Sequence, residues 1–176
     1  MSATLSPALD AIVLLVAAFV SNVALAVVPH EPVVIWFGPR LGVIATACIA
    51  TAGTVAAAWA DHRLLAPVIW RLARTQGGGA APPFIQRVFT RAPFAILAAS
   101  SLTPLPFFPF KLLAFAARYP RPRYLAAVAA GRLPRYTLLA WLGITLQLPT
   151  WGLALVCTLL LLPTLRMLRC PIRNAT

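Results

Sequence analysis

The chain holds only three carboxylates in 176 residues. Two of them, Glu31 in VVPHEPVVIW and Asp61 in GTVAAAWADHRLL, lie inside or at the edge of long apolar stretches, each beside one of the only two histidines, His30 and His62. A carboxylate in a low-dielectric setting is costly unless it is paired, protonated or facing a water-filled cavity. Retained acids of this kind can balance a buried cation, carry a proton or gate a polar path. The cations that could answer them are Lys111, Arg132 and Arg135. Arg132 and Arg135 are three residues apart and share one helix face, about 12 and 17 Å along a helix that starts at Tyr124. A guanidinium at that depth can hold a phosphate bidentately. Metal binding is not expected, because the adjacent residues of each His–acid pair point apart and nothing in the sequence makes the two pairs converge. Asp61, followed by His62 and Arg63, also suits a plain interfacial charge, whereas Glu31 is held between Pro29 and Pro32.

These residues sit in a chain made for lipid. Hydrophobic residues make up 61% and charged residues 10%, against roughly a quarter charged in soluble domains, and the mean hydropathy is +0.86. So few charges cannot cover a water-exposed surface, which implies an integral membrane protein. The net charge of +12 comes from arginines that flank apolar spans. They form no stripe interleaved with aromatics, so the charge reads as topology-setting and no nucleic-acid partner is expected. Cys48, Cys157 and Cys170 are scattered without a C-x-x-C and read as packing residues. The apolar run from Ala11 to Val28 resembles a signal segment, but MSATLSPALD lacks Lys and Arg, so the run is expected to stay as membrane structure. No nucleophile–base spacing is recognisable, and neither enzymatic activity nor a cofactor is expected.

Breakers divide the chain. Residues 9–60 read as a first hairpin, broken at Pro29-His30-Glu31-Pro32, followed by a transmembrane helix from Gly42 to Ala60. Small residues dominate that helix and suit close helix approach. Residues 61–91 read as a basic cytoplasmic loop with a Gly/Pro linker, TQGGGAAPP. Residues 92–148 repeat the pattern: a segment with Pro93, Pro104, Pro106 and Pro109, then a helix from Tyr124 interrupted at Gly131-Arg132-Leu133-Pro134-Arg135. Three prolines within six residues cannot lie in one straight helix, so residues 92–117 read as two short helices meeting at SSLTPLPFFPF. Ser100, Ser101 and Thr103, with Pro104 and Pro106, could line a polar path there or simply satisfy the broken backbone. A final span covers 151–166, and 167–176 is a basic tail.

If residues 92–117 enter and return on the same side, the 61–91 stretch, the Arg118–Arg123 connector and the tail all face the cytoplasm, as the positive-inside rule favours. The expected fold is therefore all-α and polytopic, with two re-entrant helical hairpins in an inverted repeat around a midplane site.

In that order and spacing the chain resembles the DedA/VTT membrane-protein family, also called SNARE-associated Golgi proteins. VVPHEPVVIWFGPRLGV looks like the family's first hairpin, with Glu31 in the acidic position. AGTVAAAWADHRLL is similar to the stretch closing the first repeat, and FTRAPFAILAASSLTPLPFFPFKLLAFAARYPRPRYLAAVAAGRLPRYTLLAWLG to the second hairpin and its helix. The match covers roughly residues 20–148. Many members carry arginines in the second hairpin; here ASSLTPLPFFPFKLL has only Lys111. The resemblance implies movement of a membrane phospholipid or polyprenyl-phosphate-type lipid between leaflets, in a bacterial inner membrane; the cytoplasmic C-terminus is expected from the charge distribution. From the residues themselves, Arg132, Arg135 and Lys111 would hold phosphate, and Glu31 and Asp61 would balance or gate them. A non-catalytic scaffold or assembly factor, self-associating through small-residue faces, is the alternative.

Overall fold

A computed structural model describes residues 6–23, 31–75, 92–103 and 107–146, together with Thr158. Among these the secondary structure is all-α: α1 (Pro7–Asn22), α2 (Glu31–Leu41), α3 (Val43–Leu64), α4 (Ala66–Thr75), α5 (Pro93–Leu102), α6 (Phe108–Ala116) and α7 (Arg121–Leu146). The prolines explain most of the starts. Pro7, Pro32, Pro67, Pro93, Pro109 and Pro122 each occupy the first or second position of a helix. There the missing N–H is not needed and the fixed φ is already helical. The turn after α6 is closed by hydrogen bonds from the Arg118 N–H to the Phe115 carbonyl and from the Tyr119 N–H to the Ala114 carbonyl, with Arg118 at φ 52°. This six-to-one closure ends the helix with its last carbonyls satisfied.

Several boundaries differ from the sequence reading. The first long helix does not end at Ala60: α3 continues through Asp61 to Leu64, and about a third of the expected basic loop folds as α4. The expected interruption at residues 131–135 is absent, and α7 runs unbroken through Pro134. Pro29, His30, Pro104, Pro106, Cys157, Cys170, the linker 76–91 and, apart from Thr158, the final segments 151–166 and 167–176 lie outside the described residues.

α3 is long and apolar enough to cross a membrane, with 22 residues and a mean hydropathy of 1.7. Its length of about 33 Å matches a hydrocarbon core of about 30 Å. Large apolar side chains stand exposed on α1 (Ile12, Val16, Val20), α3 (Ile44, Trp59) and α7 (Leu138, Trp141). A surface of that kind is stable against lipid and a liability against water.

Two apolar clusters hold the helices. Leu14, Ala18, Val34, Phe37, Ala47, Ala50, Tyr136 and Ala140 form one; Ala58, Ala66, Leu97, Ala114, Phe115, Tyr124, Ala127 and Val128 form the other. The start of α3 therefore meets the end of α7, and the end of α3 meets the start of α7, so these two helices run antiparallel. Two of the four arginines of α7, Arg132 and Arg135, fall between the clusters. Close crossings set this geometry. Gly38 lies against Ala140 and Gly143 against Ile35, which draws α2 onto α7. Gly53 and Gly131 are each the eleventh residue of their helix. Each takes a backbone carbonyl of the helix two before its own, Leu15 of α1 and Ala98 of α5 respectively, where a side chain would stand. In lipid such contacts supply much of the association energy, because apolar burial no longer separates folded from unfolded helices.

Gly131→Val should accordingly push α5 off α7. A Cβ there would overlap both the Ala98 carbonyl and the Ser101 hydroxyl, and overpacking of this kind costs about 1–3 kcal/mol. The expected result is a thermal midpoint lowered by several degrees in detergent, read by fluorescence-detected size exclusion after heating. An unchanged midpoint would show that the crossing is not close.

Candidate functional site

Each of the three carboxylates meets one cation. Glu31, the first residue of α2, accepts a hydrogen bond from Arg135 Nη2 at 2.6 Å. The Nη1 of the same guanidinium donates to the Thr103 carbonyl at 2.9 Å, where α5 ends. One arginine thus joins α2, α5 and α7. Asp61 near the end of α3 pairs with Lys111 of α6, and both side chains are almost wholly buried, 2% and 4% exposed. The third pair, Asp10 with Arg40 at 3.7 Å, lies at the margin, where Arg40 is 34% exposed and also stacks over Trp36 at 4.8 Å.

The inner pairs are reciprocal. The first half's short helix α2 supplies an acid to the second half's long helix α7. The second half's short helix α6 supplies a base to the first half's long helix α3. Each ties one half of the chain to the other.

Arg132 stands apart from this pairing. It is 5% exposed, its Nε has no hydrogen-bond partner, and no carboxylate among the described residues pairs with it. Its guanidinium carbon lies 5.8 Å from the Phe107 ring centre and 5.9 Å from that of Tyr136, the outer limit of cation–π attraction. A nearly buried arginine held only by two ring faces keeps most of its donors for something else. Tyr124, eight residues earlier on α7, also has a fully buried hydroxyl with no partner among the described residues.

Tyr136 is fixed from the other side. Thr54 Oγ1 donates to the Ala50 carbonyl at 3.0 Å, and its one proton is then used. The 2.8 Å contact between Thr54 Oγ1 and the Tyr136 hydroxyl must therefore be donated by the tyrosine. Asn22 Nδ2 donates to Thr54 Oγ1 at 3.4 Å and to the Ala18 carbonyl at 2.8 Å. A buried polar chain thus runs from the end of α1 through α3 to the ring beneath Arg132.

The expected residues fall out unequally. Glu31, Arg132 and Arg135 gather on one side of α7, but Glu31 meets Arg135, not Arg132. Asp61 does not end its helix: α3 continues past it, and Lys111 reaches its almost wholly buried carboxylate. His62, half-buried, stacks edge-on against Phe115 at 5.3 Å and lies 6.0 Å from Tyr124. Ser100 and Ser101 are buried, yet their hydroxyls donate to the Leu97 and Ala98 carbonyls of their own helix. Thr103 contributes its backbone carbonyl, while its hydroxyl also turns back to the helix. Asp10, Asn22, Thr54 and Tyr136 escaped the sequence reading. Asp10 carried the same signal as Glu31, an acid within an apolar segment; the other three are ordinary helix residues until α1, α3 and α7 meet. Among the described residues no three His, Cys, Asp or Glu side chains converge.

On the opposite face of α7, Leu133, Pro134, Thr137, Leu138 and Trp141 line an open, almost wholly apolar groove of about 480 Å³. Arg132 and this groove occupy two faces of one turn. No protein-family model, curated protein or solved structure matches the chain.

Proposed function

We propose that this chain is a multi-pass membrane protein of DedA/VTT type that moves a phosphate-bearing lipid between leaflets, with Arg132 as the head-group ligand. The observation that carries the reading is the buried arginine with no counter-ion among the described residues, set between two ion pairs that span the halves of the chain. An unpaired buried charge is among the costliest features a fold can keep, and intramembrane cations ordinarily mark a substrate path. A phosphate would supply the missing anion and accept two parallel hydrogen bonds from the guanidinium.

The re-entrant, inverted-repeat arrangement belongs to the same reading. Two short helices followed by a long one occur twice, the long ones run antiparallel, and a glycine at the same position of each receives the helix two before its own. In this arrangement α1–α2 and α5–α6 are the two hairpins, the polar layer lies near the midplane, and α4, basic and amphipathic, rests at the cytoplasmic interface. Glu31–Arg135 and Asp61–Lys111 hold the hairpins against the opposite half. Their opening and closing would admit and release the head group, and the apolar face of α7 would carry the acyl chains. A pure scaffold would be served by the ion pairs and glycine crossings alone; the counter-ion-free Arg132 favours transport.

The test is reconstitution into liposomes with a fluorescent head-group lipid in both leaflets and a membrane-impermeant quencher outside. The protein should expose the inner-leaflet label within minutes, against hours for protein-free vesicles. Traces that superimpose on protein-free vesicles would remove the transport reading and leave the scaffold.

A further inference from the structure

We propose that the buried cluster is matched to a head group with a single negative charge, a phosphodiester in preference to a doubly charged phosphomonoester. The inference rests on the reading of Arg132 as head-group ligand and narrows its substrate.

The charges of the cluster carry it. Glu31 faces Arg135 and Asp61 faces Lys111, and each pair is neutral. Arg132 stands three residues before Arg135 on α7, and its guanidinium carbon lies 5.8 Å from the ring of Phe107, four residues before Lys111; it is the member left uncompensated among the described residues. Among the described residues, three cations against two carboxylates leave one positive charge in a setting where Arg132, Asp61 and Lys111 are nearly sealed from water. The third acid does not correct this balance, because Asp10 is engaged with Arg40 at the margin. A singly charged phosphodiester brings the cluster to neutrality. A dianion brings one further charge with nothing to meet it, and a net charge in low dielectric is penalised whatever its sign. Lending either cation would take the closest counter-ion from Glu31 or from Asp61. The selectivity thus lies in the neighbours of Arg132 as much as in Arg132 itself, and changing a neighbour's charge should change which phosphate is preferred.

The experiment measures lipid-dependent thermal stabilisation of the full chain in neutral detergent at pH 8, above the second phosphomonoester ionisation near pH 6. The lipids are phosphatidylglycerol, a singly charged diester, and phosphatidate, a monoester of the same acyl chains; water-soluble glycerophosphoglycerol tests a diester without chains. The parent should be half-stabilised by phosphatidylglycerol at about one-tenth of the phosphatidate concentration, a modest share of what one uncompensated buried charge can impose. Glu31→Gln, which releases Arg135 and adds one positive charge, should bring the two lipids level or reverse their order. Arg135→Gln, which leaves Glu31 bare, should weaken phosphatidylglycerol about tenfold or more. These variants lie at the less buried pair, and opposite shifts from them cannot arise from a shared loss of structure. If glycerophosphoglycerol stabilises as well as the lipid, the ligand is the free diester, and the charge rule stands for it. Equal or tighter binding of phosphatidate by the parent, or a preference that Glu31→Gln leaves unmoved, overturns the proposal. Transport without a charge preference sinks this inference alone. A charge preference without transport sinks the transport reading and leaves the site.

Discussion

Arg132→Met is expected to make the protein more stable and nearly inactive. In the ligand-free state the guanidinium is 5% exposed with its Nε unpartnered, so the fold carries its desolvation without a compensating bond. An apolar side chain of similar length removes that cost and keeps contact with the Phe107 and Tyr136 rings. The gain should be about 1–3 kcal/mol, the usual penalty for a buried unsatisfied group, seen as a rise of several degrees in the thermal midpoint. Transport should move the other way. Losing one partner of a buried charge-assisted contact costs about 2–5 kcal/mol, which corresponds to a rate lower by about 30-fold or more. Arg132→Lys keeps the charge but replaces a planar fork with a point donor, so it should fall between parent and Met in rate. Stopped-flow quenching of labelled liposomes gives the rates, and thermal unfolding in the same detergent gives the midpoints. A fall in both rate and stability for Arg132→Met would identify the arginine as an ordinary structural residue and remove the basis of the proposed site.

The sequence made some of this legible. Acids within apolar segments can be read wherever they occur, because desolvation allows few roles for them, and Glu31 was found on that ground alone. The prolines were harder to read. Pro134 within GRLPR looked like an interruption, yet α7 passes through it, whereas Pro7, Pro32, Pro93, Pro109 and Pro122 begin helices instead of breaking them. The difference lies in position within the turn: a proline in the first turn loses no hydrogen bond, and one in the interior is tolerated where neighbouring helices hold the chain. Depth was not legible for Asp61. Composition changes sharply after Ala60, which suggests an exit to water, but α4 and α6 pack around the end of α3 and keep the carboxylate dry. Pairing was the least legible feature. Glu31 and Arg135 are 104 residues apart, and the choice of Arg135 over Arg132 follows from how α2 crosses α7 at Gly38 and Gly143. Sequence spacing fixes which residues share a face; only the crossing decides which of them is reached.

The Asp61–Lys111 pair should show the opposite sign from Arg132 and an asymmetry between its members. Both side chains are nearly sealed from water, so removing one takes the closest counter-ion from the other in a site that solvent does not reach. Such a loss is worth about 3–5 kcal/mol. Asp61→Asn takes the carboxylate from Lys111 and leaves it in one cluster with the like-charged Arg132, whose guanidinium carbon lies 5.8 Å from the ring of Phe107, four residues before Lys111. Lys111→Met strands Asp61, toward which the free donors of Arg132 can turn through a rotamer change. Asp61→Asn should therefore be the worse of the two, approaching complete loss of folded protein, while Lys111→Met retains a measurable transition. Combining Asp61→Leu with Lys111→Met removes both charges and should return the midpoint to within a few degrees of the parent, because an apolar pair of similar volume is often neutral or stabilising. The coupling energy from the full double-mutant cycle should be large, about 3 kcal/mol at the upper end of what contacting residues show. Additive effects of the two single substitutions would mean the pair is not formed in the membrane. Equal losses from the two would mean Arg132 is too far from Asp61 to substitute for Lys111, and would place the uncompensated charge nearer Glu31 and Arg135. Transport by the double variant then separates clasp from ligand. If the pair only holds the second hairpin against α3, the apolar replacement keeps it shut and transport slows although folding recovers; if the pair takes no part in opening, stability and transport recover together.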